Sequence, residues 1–167
     1  MKLLISICGS DGTDDKLSKK ALNIAEELGK LIAKNDAVIV CGGHGGIMKA
    51  ACQGAKTENG TTIGIMPYTD DTPNEYIDIV IPTDLGNIRN YLVSNIGQVM
   101  IAIGGRWGTL NEISYRMITH KPLILIKGTG GVVDSIIENK LLDKIQSEYL
   151  IAESAEEAWD IAVNLTR

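Results

Sequence analysis

Short apolar runs alternate with longer segments of helical periodicity along the chain, and glycine or proline residues separate many of them. The short runs are rich in β-branched residues, which is typical of interior strands in a parallel sheet. The longer segments repeat apolar residues every three or four positions, which is typical of helices that cover a sheet with one face. The pattern predicts strands at residues 2–8, 37–41, 61–66, 77–81, 99–103, 122–126 and 149–152.

Helices are predicted between these strands, so that strand and helix alternate along the chain. One helix follows residues 84–86 and carries Ile88, Tyr91, Leu92 and Ile96 on one face. Alternation at this spacing specifies an α/β fold of three layers, with helices on both faces of a mainly parallel sheet of about seven strands. We therefore predict a single Rossmann-like domain over residues 1–167. The other predicted helices cover residues 15–33, 47–55, 109–119, 132–142 and a last segment that Ser154 and Glu157 cap.

Composition agrees with one globular domain and excludes several kinds of partner. The chain has 44% hydrophobic residues and a formal net charge of −5, so we expect no nucleic-acid partner. No apolar run is long enough to span a membrane, and the apolar start is too short for a signal peptide. The three cysteines form no C-x-x-C pair, which suits a reducing, cytoplasmic compartment. Cys8 and Cys41 follow apolar runs and are expected to be small buried residues rather than nucleophiles.

Glycine is distributed unevenly between the two edges of the predicted sheet. Glycine-rich breaks follow strands at Gly9 and at residues 42–46, 104–108 and 128–131, whereas the helix-to-strand connections contain little glycine. The carboxyl ends of parallel strands share one edge, where ligands of such folds bind. Glycines that served turns alone would also appear at the other edge. The asymmetry therefore predicts a ligand site at the carboxyl edge.

Two glycine loops that open onto helices suit a monophosphate or another compact anion, because a helix N-terminus attracts negative charge. The chain lacks G-x-G-x-x-G after its first strand and lacks a Walker-type phosphate loop. His44 is either a base or phosphate donor in this site or a polar loop residue. His44 and His120 have no spacing that indicates a metal site, so we expect no metal and no resident cofactor.

Two charged residues near this edge admit more than one interpretation. Glu112 either forms a capping box with Thr109 at the start of a helix or directs its carboxylate toward a ligand. Arg89 lies in the first turn of a helix, where positive charge is unfavourable. An anionic partner would explain it, and Glu112, Asp84 and a ligand phosphate are the candidates. The alternative is an ordinary surface arginine.

The order of these motifs resembles the LOG family, Rossmann-like proteins that include cytokinin riboside 5′-monophosphate phosphoribohydrolases. The nearest likeness is to its short members of uncertain function and to the related molybdenum-cofactor carrier proteins. The chain departs from the family signature P-G-G-x-G-T-x-x-E because Gly104 replaces the proline and Arg106 replaces a glycine. Asn90 and Val93 replace a lysine and a methionine of the arginine motif. The matching residues are Cys8-Gly9-Ser10, Gly42-Gly43-x-x-Gly46-Ile47-Met48, Arg89 and Gly105-x-x-Gly108-Thr109-x-x-Glu112.

The resemblance implies a nucleotide-binding domain that hydrolyses the N-glycosidic bond of a nucleoside 5′-monophosphate to free base and ribose 5-phosphate. Glu112 would stabilise the oxocarbenium-like transition state, and Arg89 would pair with Glu112 or hold the nucleotide. The alternative is a non-catalytic carrier or sensor of a phosphorylated ligand such as molybdenum cofactor. The resemblance also implies a homodimer, for which Tyr91, Tyr115 and Met117 are candidate contacts, although each also fits a core position. The expected binding residues are Gly9, Ser10, Gly42, Gly43, Gly45, Gly46, Gly105, Arg106, Gly108 and Thr109, of which Gly105, Gly108 and Thr109 would hold the phosphate through their amides.

Overall fold

A computed structural model describes residues 1–142 and 149–167 of the chain. The described residues form one parallel sheet of seven strands with helices on both faces, which confirms the predicted three-layer Rossmann-like fold. The strands are β1 (Leu4–Gly9), β2 (Val38–Cys41), β3 (Thr61–Met66), β4 (Ile79–Pro82), β5 (Val99–Ile103), β6 (Leu123–Ile126) and β7 (Leu150–Ala152). The helices are α1 (Lys19–Lys34), α2 (Ile47–Thr57), α3 (Asn90–Ile96), α4 (Trp107–Ile118), α5 (Gly131–Asn139) and α6 (Ala155–Asn164), and a 3₁₀ turn (Gly86–Arg89) precedes α3.

The strand order creates the crevice in which a ligand can bind. The order is β4-β3-β2-β1-β5-β6-β7, so the chain builds outward from β1 in one direction and then returns to build from β5 in the other. β1 pairs with both neighbours in register, with Ile7 beside Cys41 of β2 and beside Ile101 of β5. The connections that follow β1 and β5 therefore leave the sheet toward opposite sides and open a gap between them.

Helices α1, α2 and α6 pack on one face of the sheet, and α3, α4 and α5 pack on the other. The closest helix pair is α1 and α2. A Cβ atom on Gly29 of α1 would lie only 2.0 Å from the carbonyl oxygen of Ala51 in α2, so a glycine is required for this approach. Cys8 and Cys41 are 1% and 0% exposed, as expected for small core residues.

Some predicted helix boundaries and faces differ from the observed ones. Helix α1 begins at Lys19 rather than residue 15, because the Ser18 hydroxyl accepts a hydrogen bond from the Ala21 amide and caps the helix. The predicted cap of α6 is confirmed, with the Ser154 hydroxyl accepting from the Glu157 amide. The core position proposed for Tyr91 is wrong, because its side chain is 45% exposed. Helix α3 instead buries Asn90, Val93 and Ser94. Tyr91 and Ile96 of this helix and Ile88 of the preceding 3₁₀ turn are exposed.

Strand β4 forms one edge of the sheet, and β7 forms the other. All four residues of β4 are exposed, including the apolar Ile79, Val80 and Ile81. The strand ends at Pro82, which has no amide hydrogen to offer a further strand. None of the helices in the described parts of the chain combines the length and the apolar character that crossing a bilayer requires.

Arg116 of α4 is the largest fully buried side chain among the described residues. Its Nη1 donates to the carbonyl oxygens of Ser94 and Gly97 at 2.7 and 2.9 Å, and its Nη2 donates to that of Gln98 at 2.5 Å. Its Nε donates to the carbonyl oxygen of Pro122 at 2.9 Å. Burial lowers the pKa of Arg116 to about 10, so the guanidinium remains charged at neutral pH. One side chain thus joins α4 to the start of β5 and to the start of β6.

We expect Arg116→Ala to destabilise the protein by about 3 kcal/mol or more, because four carbonyl groups, those of Ser94 and Gly97 in buried residues, would lose a charged donor. Urea unfolding at pH 7 measures the difference in free energy of unfolding. Arg167→Ala, at an exposed arginine, is the matched control and should change the stability by less than about 0.5 kcal/mol. Equal stability of Arg116→Ala and the control would contradict this role.

Candidate functional site

A cavity of about 530 Å³ lies at the carboxyl edge of the sheet, in the gap between the connections that follow β1 and β5. The loops after β1, β2 and β3, the 3₁₀ turn and the first turns of α4 form its walls. Its size falls within the usual range for a small-molecule site. Seven of the predicted site residues line this cavity, namely Gly9, Ser10, Arg89, Arg106, Gly108, Thr109 and Glu112.

The remaining predicted glycines lie behind or beside the cavity wall. A Cβ atom on Gly42 would lie 2.3 Å from Arg89 Nη1, so the missing side chain makes room for the guanidinium. A Cβ atom on Gly43 would likewise clash with the Met66 sulfur atom. Gly45 and Gly46 contact the backbone of the loop that follows β1. Gly105 lines a neighbouring cavity instead of this one.

Arg89 is buried in the cavity wall, with 7% of its surface exposed, so it is not an ordinary surface arginine. Its Nη1 donates to the carbonyl oxygen of Ile65 at 2.7 Å. Its Nε has no hydrogen-bond partner, and among the described residues it is the one buried side-chain polar atom in that condition. Burial lowers the pKa of Arg89, and the nearby Glu112 carboxylate opposes that shift. Asp84 is not its partner, because that carboxylate accepts hydrogen bonds from Thr69.

Of the two interpretations of Glu112, the capping box with Thr109 is wrong. Helix α4 begins at Trp107, two residues earlier than expected, and Arg106 precedes it without a side-chain cap. Thr109 is therefore the third residue of the helix, and its side chain packs against Gly105. Glu112 consequently lies in the buried face of α4 and lines the cavity.

Burial raises the pKa of the Glu112 carboxyl to about 7, although the positive charge of Arg89 and a hydrogen bond with the Cys8 thiol act in the opposite direction. Glu112 is therefore close to half ionised at neutral pH. Burial, with Glu112 beside it, raises the pKa of the Cys8 thiol well above its ordinary value. Cys8 thus remains a neutral thiol, which agrees with a structural rather than a nucleophilic role.

His44 also lines the cavity, with its Nε2 atom 3.6 Å from the Asp71 carboxylate. The histidine and the aspartate are both about one-third exposed. This pair brings the loop after β2 and the loop after β3 together at the cavity mouth. From this position His44 can contact a ligand. Its interaction with Asp71 is equally consistent with the other interpretation, a polar residue that holds the loop.

Arg106 and Trp107 form the wall beside the start of α4. Arg106 donates from Nη2 to the Asp11 carboxylate at 3.1 Å and to the Thr13 hydroxyl at 2.7 Å. The Trp107 side chain is 84% exposed. The Ser10 hydroxyl accepts a hydrogen bond from the Gly105 amide at 2.8 Å and ties the two central loops together.

Sequence reasoning missed several residues that line the cavity. Asp11 and Trp107 adjoin residues already singled out, so their position beside the glycine loops was an available signal. Tyr68, Asp71 and Asn87 had no such signal. They come from the loop after β3 and from the 3₁₀ turn, and the sequence does not indicate how those segments fold over the site.

Comparisons with known proteins cover most or nearly all of the chain. The model of the SLOG cluster4 family matches residues 2–159. An uncharacterised protein of Archaeoglobus fulgidus is 35% identical over 135 residues, which are 77% of this chain and 87% of that protein. The molybdenum cofactor binding protein of Rippkaea orientalis has a TM-score of 0.89 at 31% identity, over 100% of this chain and 99% of that one. The molybdenum cofactor carrier protein of Chlamydomonas reinhardtii has a TM-score of 0.83 at 30% identity, over 99% of both chains.

The raised pKa of Glu112 predicts that the protein loses stability as the pH rises. The folded state holds this proton up to a pKa of about 7, whereas an unfolded glutamate releases it near 4.5. The stabilisation that this proton gives to the folded state is therefore complete below pH 4.5 and is lost as the pH rises through 7. The free energy of unfolding falls by about 3 kcal/mol in total.

We expect Glu112→Gln to lack this loss, because glutamine does not titrate. Urea unfolding at pH 5 and pH 8 measures the change in free energy for the variant and the wild type. Glu156→Gln in the exposed first turn of α6 is the matched control and should keep the wild-type dependence. Equal pH dependence in the wild type and in Glu112→Gln would contradict a shifted carboxyl group.

Proposed function

This chain belongs to the SLOG cluster4 family, and from that membership we propose that it binds a phosphorylated, nucleotide-like small molecule in the cavity described above. The observation that carries the proposal is Arg89, a buried guanidinium that lines the cavity and whose Nε atom has no hydrogen-bond partner. A buried cation with an unsatisfied N–H group is costly in the absence of an anion. A ligand phosphate would supply both the acceptor and the opposite charge.

The start of α4 supports the same ligand chemistry. Gly108 and Thr109 lie in the first turn, where amide groups have no partner within the helix and where the helix dipole is positive. Arg106 adds a second guanidinium to the same wall. We propose that these groups hold the phosphate and that Gly9 and Ser10 form the floor beneath it.

We further propose that the protein is a carrier or sensor, and that its ligand belongs to the class of molybdenum cofactor. Two solved structures named for binding or carrying that cofactor match nearly the whole chain at about 30% identity. Arg106 stands where the hydrolase signature has a glycine, and its guanidinium is bonded to Asp11 at the edge of the phosphate loop. Glu112 is only about half ionised near neutral pH, since burial raises its pKa to about 7. Binding needs neither the signature glycine nor an ionised carboxylate.

Hydrolysis of a nucleoside 5′-monophosphate is the second candidate function, and the position of Glu112 favours it. The carboxyl group lines the cavity and interacts with Arg89 across it. In its ionised form it would stabilise positive charge that develops on the ribose as the glycosidic bond breaks. Arg89 would then keep the nucleotide in place. Because burial raises the pKa of Glu112 to about 7, such activity would rise between pH 6 and pH 8.

A ligand panel tests the binding proposal. We expect a phosphorylated pterin, AMP or GMP to raise the melting temperature by several degrees when present at one hundred times Kd. Arg89→Met should weaken binding by about 10- to 100-fold, because a charged donor to the phosphate is lost. The variant should remain folded, since it removes a buried charge that has an unsatisfied donor. Lys49→Met, at a partly exposed cation paired with Glu75 outside the cavity, is the control and should bind like the wild type.

The same samples distinguish the two candidate functions. AMP, GMP, CMP and isopentenylated AMP are incubated with the protein, and free base is measured by chromatography. Stabilisation without base release supports a carrier or sensor. Base release that disappears in Glu112→Gln supports the hydrolase. Absence of both release and stabilisation across the panel and the phosphorylated pterin would show that the proposed ligand class is wrong.

We also propose that residues 1–167 act as one domain and that two copies associate in the cytoplasm through α3 and α4. What supports association is a set of exposed apolar side chains on the 3₁₀ turn, α3 and α4, with Ile88 at 65%, Tyr91 at 45% and Ile118 at 67% exposure. Tyr91 packs edge-on against Tyr115 with ring centroids 5.5 Å apart, so the two helices present a common surface. A second copy of this surface would remove the apolar area from water.

Light scattering after size-exclusion chromatography measures the mass in solution. We expect the wild type to have twice the mass of one 18.0 kDa chain. Ile118→Glu should have the mass of one chain, because the charge would be buried in the contact. Leu165→Glu places the same charge at an exposed leucine beyond α6 and should remain dimeric. A wild-type mass of one chain would rule out the dimer.

A further inference from the structure

A second cavity of about 610 Å³ lies on the other side of the loop that follows β1. The loops after β1, β5 and β6 and the first turn of α5 form it. It shares Ser10, Arg106 and Trp107 with the first cavity. The two cavities therefore adjoin along a common wall at the point where the strand order reverses.

The common wall has a fixed part and a part that can open. The Ser10 hydroxyl and the Gly105 amide are buried and bonded to each other, so this part is fixed. The ion pair of Arg106 and Asp11 is different, because the two side chains are 49% and 42% exposed. An exposed pair of this kind contributes little to stability. Arg106 could therefore leave Asp11 and pair with a phosphate at the wall at a small cost in free energy.

The second cavity differs from the first in its charged residues. The carboxyl groups of Asp11, Asp71 and Glu112 and the guanidinium groups of Arg89 and Arg106 line the first. In the second, Asp14 and Asp15 balance the charges of Lys16 and the shared Arg106. Its lining also includes Leu17, Leu110 and Val132. These walls suit an uncharged, largely apolar group.

The polar groups of the α5 side are already paired within the protein. The Asp134 carboxylate accepts hydrogen bonds from the amides of Gly128 and Gly130, each at 2.7 Å. The Thr129 hydroxyl donates to the carbonyl oxygen of Ile126 and accepts from the Gly104 amide. Two amides of the glycine loop beside this cavity are thus occupied by a carboxylate of the chain itself. The second cavity therefore does not provide a second phosphate site.

We propose that the second cavity is the subsite for the second heterocycle of a dinucleotide-like ligand. This inference rests on the proposed function, because one heterocycle and the phosphate would occupy the first cavity. The bridging pyrophosphate would cross the common wall and pair with Arg106. The second heterocycle would lie between the apolar residues of the second cavity, with the exposed indole of Trp107 available for stacking.

The experiment compares AMP with diadenosine diphosphate, which carries two adenosines on one pyrophosphate, by isothermal titration calorimetry. We expect the wild type to bind the dinucleotide at least tenfold more tightly than AMP. Ser135→Phe places a ring at an exposed position that lines the second cavity. It should remove this advantage and leave the Kd for AMP unchanged.

Two matched variants complete the design. Glu138→Phe puts the same ring on an exposed position of α5 that does not line either cavity, and it should keep the advantage of the dinucleotide. Asn87→Phe lies in the wall of the first cavity and should weaken both ligands. Thermal unfolding establishes that each variant is folded.

The outcomes separate this inference from the proposed function. Equal affinity of the wild type for AMP and for the dinucleotide would overturn the second subsite and leave the first cavity as a phosphate site. The same conclusion follows if Ser135→Phe keeps the advantage. If neither AMP, the dinucleotide nor a phosphorylated pterin binds, both the second subsite and the proposed function are wrong.

Discussion

Arg116 holds together the parts of the fold that present the candidate site. Three of its carbonyl acceptors belong to the end of α3 and the two residues that join it to β5, and the fourth precedes β6. Carbonyl groups at the end of a helix lack partners within it and carry negative partial charge. A buried guanidinium satisfies them and so fixes α4 against α3. Glu112 lies one turn before Arg116 in α4, and Arg89 lies just before α3, so the same contact sets the relation between both charged residues of the cavity.

The two buried arginines show how a structural and a ligand-binding cation can be distinguished. The three guanidinium nitrogens of Arg116 all donate to carbonyl groups within the protein. Arg89, which lines the cavity, donates to one carbonyl group and leaves its buried Nε unpaired. The desolvation cost of Arg116 is offset inside the fold. The desolvation cost of Arg89 is only partly offset inside the fold, and an external anion would offset the rest. We expect ligand binding to depend on this unpaired guanidinium.

The sequence predicts the sheet well because β-branched runs such as residues 99–103 have few other stable environments. It predicts the carboxyl edge as the ligand site because the glycine asymmetry follows directly from parallel topology. It fails at the start of α4, where Thr109 and Glu112 match a capping pattern although the turn at Gly105 lets the helix begin at Trp107. Arg116 has no recognisable signal, because an arginine four residues after a glutamate is equally typical of an exposed helical ion pair. The loop that carries Asp71 depends on tertiary contacts that no local pattern encodes.

Strand β4 has a consequence for how the protein behaves at high concentration. An exposed edge with three consecutive apolar residues is the kind of template on which chains add to one another and aggregate. Here the strand has only four residues, and its last residue is a proline that offers no hydrogen to an incoming chain. Few hydrogen bonds could form before pairing stops. The fold can therefore keep an apolar edge open to solvent while resisting growth of the sheet into fibrils.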